Sequence, residues 1–139
     1  MSNPIVSYAN AAALLALFPT IMGAAILVKP DIIADLYPGA KMPSNPADNQ
    51  LVKTTTRMFA VRDIFLGGAT LGPWYLGDDR MMGVMMLMGA AVVFVDGQIA
   101  HVQSGHGRLL HWALVPVMGG LSAGLLGWLD GLHVTSVGR

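Results

Sequence analysis

The chain has no cysteine and no glutamate, and only 12% of its 139 residues are charged. The missing cysteine removes disulfides, thiolate metal sites, iron–sulfur clusters and cysteine nucleophiles together, and it leaves the redox compartment unread. Soluble domains carry about 25% charged residues, so the low charge here, with 54% apolar residues and a mean hydropathy of +0.58, marks a membrane composition. Eight basic residues balance eight aspartates at a net charge of zero. There is neither the basic stripe nor the aromatic interleaving of a nucleic-acid binder, and that class is excluded. Also missing are a G-x-S-x-G elbow, an H-E-x-x-H helix and a phosphate-cradling glycine loop.

What is present is a series of apolar runs. Residues 7–28, SYANAAALLALFPTIMGAAILV, are uncharged and long enough to cross a hydrocarbon core of about 30 Å as a helix. A cleaved signal sequence is the competing reading. No Lys or Arg precedes the run, and it is longer than a typical signal core, which favours a span. Further runs at 57–76, 81–102 and 109–129 complete the set. They predict an all-α, integral membrane four-helix bundle of up-down-up-down topology, in a single domain covering residues 1–139. In the last run Trp112 and Trp128 are about 24 Å apart at 1.5 Å per helical residue, which fits one indole at each interface.

The only long connection is 29–53, with four of the eight prolines. Ile32, Ile33, Leu36 and Tyr37 follow helical spacing within it and predict a short interfacial helix after the first span. The other links, around 77–80 and 103–108, are tight, so successive spans should be antiparallel. Lys29, Lys41, Lys53 and Arg108 lie on one side, with Arg57 at its edge, against Arg80 and Arg139 on the other. This places the long loop in the cytosol. Gly68 and Gly72, and Gly120 and Gly124, have the small-xxx-small spacing that lets helices approach closely.

Alternating span direction brings the polar intrusions to the side of the long loop. Arg57, Arg62 and Asp63 fall early in the second run, Asp96, Gln98 and His101 late in the third, and His111 early in the fourth. A charge facing lipid costs at least about 2.5 kcal/mol, so such residues turn inward and pair. Arg62 and Asp96 are natural partners. Adjacent helical residues point about 100° apart, so Arg62 and Asp63 should serve different neighbours.

The functional reading is a pocket open toward the cytosolic interface. His101 or His111 moves protons, Asp96 orients or accepts, and Arg62, helped by Asp63, Gln98 and Arg57, binds an anionic or carbonyl oxygen. The competing reading is an interhelical clamp that fixes register. His101, His106 and His111 are spaced by five, not the i, i+4 of a helical zinc pair, so no metal is assigned and no cofactor is indicated. Met81, Met82, Met85, Met86 and Met88 are read as adaptable packing in preference to thioether ligands for copper.

Arg57 to Asp63, an R-x-F-x-x-R-D pattern opening the second run, with Asp96 late in the third and a histidine at the following turn, resembles a family of small four-span membrane proteins. That family, from fungi and bacteria, is known only as a domain of unknown function. The resemblance covers the chain from the first span to about residue 130. It adds weight to Arg62, Asp63 and Asp96 as functional positions, and some fungal relatives lie near natural-product pathways, which implies an isomerase or cyclase. The expected partners are the lipid bilayer and a small lipophilic molecule. A path across the whole membrane would require a homo-oligomer, because the opposite half of the bundle is almost purely apolar. The alternative function is a non-catalytic accessory subunit or carrier.

Overall fold

The structure, a computed structural model, describes residues 7–36, 41–104 and 108–130. Tyr37, His106 and Arg139, used above, lie outside the described residues. Every described element is a helix: α1 (Tyr8–Val28), α2 (Ile32–Leu36), α3 (Pro46–Leu76), α4 (Asp79–Ser104) and α5 (Arg108–Leu125). The chain is all-α. α1 and the Asp79–Val102 stretch of α4 are long and apolar enough to cross a membrane.

Local chemistry sets the helix ends. At the start of α1, the Asn10 N–H donates to Ser7 Oγ at 3.1 Å, and at the start of α4 the Met81 N–H donates to Asp78 Oδ1 at 2.9 Å. These are side-chain caps on otherwise orphaned amides. α3 begins at Pro46, a favoured first position because proline has no N–H to leave unsatisfied. Asn45 Oδ1 accepts from the Ala47 N–H beside it at 3.0 Å. The helix therefore begins eleven residues before the apolar run, because the polar stretch ADNQLVKTTT, though not apolar, contains nothing that breaks a helix.

α3 stops at Gly77, whose φ of 71° lets the Gly77 and Asp78 N–H groups bond back to the carbonyls of Trp74 and Pro73. The same closure recurs at Gly127, φ 75°, where the Gly127 and Trp128 N–H groups reach Gly124 and Ala123. Both form the glycine stop in which a left-handed residue satisfies the last carbonyls. α5 thus ends at Leu125, short of the expected residue 129. Trp128 lies beyond the helix, so the 24 Å separation along one straight helix does not hold.

The chain divides into two compact units, Leu15–Gly68 and a second made of Met1–Leu14 with Ala69–Arg139. Within the first, α1 and α3 run antiparallel. A Cβ on Gly23 would sit 2.6 Å from the Ala60 carbonyl oxygen, while one on Gly67 would meet Thr20 Oγ1 and, at 2.7 Å, the Ala16 carbonyl oxygen. These glycines let the two backbones touch. Lys53 Nζ pairs with Asp31 Oδ1 at 3.0 Å, tying the start of α3 to the turn before α2.

Within the second unit, α4 and α5 run antiparallel along their length. Gly83 faces Leu125 and Leu126, Gly89 faces Met118, and Gly97 faces His111 and Trp112. Ser122, fully buried, donates its Oγ–H to the Gly83 carbonyl at 2.6 Å. The start of α1 joins this end of the pair: the Tyr8 ring would lie 2.7 Å from a Cβ on Gly124, and Trp74 Nε1–H donates to Asn10 Oδ1 at 3.0 Å. Of the expected small-residue contacts only Gly124 is used. A Cβ on Gly68, Gly72 or Gly120 would meet nothing within 4 Å among the described residues.

Candidate functional site

α3 carries the first group of expected site residues. Arg57 is exposed, and Arg62 and Asp63 are half-buried. Because α3 begins at Pro46, Arg62 and Asp63 lie near the middle of the helix and not in its first two turns. The two charges contact each other, Arg62 Nη2 to Asp63 Oδ1 at 3.4 Å, and the Arg62 guanidinium lies 5.1 Å from the Phe59 ring centroid. The contact joins two side chains whose Cβ atoms point about 100° apart. An arginine side chain is long enough to bend back across that angle, and an aromatic face one turn earlier attracts the cation.

α4 and α5 carry the second group. Asp96 and His101 are half-buried on α4, Gln98 is exposed, and His111 is half-buried in the first turn of α5. The antiparallel register brings the His101 end of α4 beside the His111 end of α5. Between them sits Gly97, where a Cβ would fall 2.6 Å from Trp112 Cδ1, 2.7 Å from Trp112 Nε1 and 3.1 Å from His111 Cβ. The absent side chain is what allows Trp112 to approach the α4 backbone this closely. One helical turn earlier, Phe94 stacks on the Trp112 ring, with centroids 5.4 Å apart and planes 11° from parallel.

Trp112, expected as an interfacial anchor, is therefore built into the α4–α5 seam. Phe94 and Gly97 were not among the expected site residues. Their sequence signal is the spacing of Phe94, Gly97 and His101 at i, i+3 and i+7, which places all three on one face of α4.

The expected layer is thus distributed over both compact units: Arg57, Arg62 and Asp63 in one, Asp96, Gln98, His101 and His111 in the other. Among the described residues no three histidine or aspartate side chains gather as a metal-ligand group. The methionines of α4 divide by face. Met82 and Met86 are buried in the core, while Met81 and Met88 are exposed and Met85 is half-buried.

No curated protein and no solved structure matches the chain. One family model does, over residues 16–138, described as a domain of unknown function (DUF4267). That stretch takes in α1 from Ala16 onward, the whole of α2 to α5 and every residue of the candidate site, and on this match the chain belongs to the DUF4267 family.

Proposed function

We propose that this is a four-span, up-down-up-down membrane protein that holds a small lipophilic molecule against α4 and α5. There Asp96, His101 and His111 carry out a proton transfer, of the kind used in isomerisation or cyclisation. The membrane part of the reading is supported by the distribution of side chains. Phe18 is 62% exposed, Ile21 65%, Phe65 70% and Met88 60%, whereas the buried set is five alanines with Thr56, Thr70 and Ser122 beside the larger Ile26, Met82, Met86 and Leu125. A chain that turns so many large apolar groups outward, with alanine and hydroxyl side chains prominent inside, suits lipid as its solvent.

The observation that carries the site is the placing of Asp96, His101 and His111 at the paired ends of α4 and α5, half-buried within otherwise apolar helices. Ionisable residues at membrane depth are costly and are retained mainly for function. An imidazole can both donate and accept a proton near neutral pH, and a carboxylate beside it can orient the ring or take the proton. For the charges on α3 a different part is favoured. The Arg62–Asp63 contact and the Phe59 ring under Arg62 support a structural role, in which ion pair and aromatic face help α3 carry two charges.

Native mass spectrometry of the protein purified from its own host in mild detergent, with extraction of bound metabolites, tests the reading. The expected result is one small molecule per chain that disappears in Asp96→Asn while the protein stays folded. A ligand-free protein in which Asp96→Asn does no more than lower the melting temperature would assign Asp96 to a structural clamp.

A further inference from the structure

No further inference is drawn: the strongest candidate, the outward face of α3 on which the exposed Leu51, Met58 and Phe65 continue into Gly68 and Gly72 at helical spacing, is an apolar helix face, and nothing in the structure shows what covers it.

Discussion

At Gly97 a missing methyl group decides how closely α5 approaches α4, and the same holds at Gly67 between α3 and α1. A Cβ at Gly67 would press on the Ala16 carbonyl at 2.7 Å, a backbone atom that cannot step aside. Gly67→Ala should therefore destabilise the protein by about 1–3 kcal/mol, the usual cost of overpacking, read as a lower melting temperature in detergent. Gly72→Ala is the control. Its Cβ would meet nothing within 4 Å among the described residues, and alanine is favoured over glycine in a helix by up to about 1 kcal/mol, so the melting temperature should hold or rise.

The two positions look alike in the sequence. Small-xxx-small spacing singled out Gly68, Gly72, Gly120 and Gly124 and passed over Gly23, Gly67, Gly83 and Gly97, because spacing along one helix carries no information about which face meets a neighbour. The Arg62–Asp63 contact was hidden for a related reason. Helical angles describe where Cβ atoms point, and the outcome depended on the reach of a long flexible side chain beyond them.

Helices were legible where apolarity and helicity coincide. α1 and α4 have nearly the bounds that hydropathy gives, since the apolar run and the helix cover almost the same residues in each. α3 does not, because its first turns are polar and helical at once, and their start depends on Asn45 and Pro46. Asn45→Ala should lower stability by about 0.5–2 kcal/mol through loss of that cap, measured by chemical denaturation followed by circular dichroism. α5 was read too long because LLGWL remains apolar while the backbone turns at Gly127.

α1 also bears on the choice between span and signal sequence. Tyr8 packs over Gly124 and Asn10 bonds Trp74, and Gly23 lies against Ala60, so this helix is part of the packed structure. Intact mass of the mature protein should include residues 8–28. A mass lacking them would return that segment to the role of a cleaved signal.

For the molecule as a whole, composition indicates a membrane protein, and two helices, α1 and the Asp79–Val102 stretch of α4, are long and apolar enough to cross a membrane. Of the residues expected in one layer, Arg57, Arg62, Asp63, Asp96, Gln98, His101 and His111, the antiparallel α4–α5 pair carries His101 and His111 at adjoining ends. The lateral arrangement was not readable, because depth says nothing about which residues share a face. Phe94 and Trp112 entered the site only through the packing of α4 on α5. Gly97→Leu, which forces Trp112 off α4, should lower stability by about 1–3 kcal/mol, read as a lower melting temperature in detergent, whereas Gly120→Ala should not.

The absence of cysteine makes the membrane arrangement directly measurable. Single cysteines at Ser44, in the connection between α2 and α3, and at Asp78, between α3 and α4, would be labelled with a membrane-impermeant maleimide in intact cells and again after permeabilisation. Four alternating spans require opposite behaviour: Asp78→Cys reacts in intact cells, and Ser44→Cys reacts only once the membrane is opened. Labelling of both positions from the same side would mean that α3 does not cross the bilayer, and the up-down-up-down arrangement would fall.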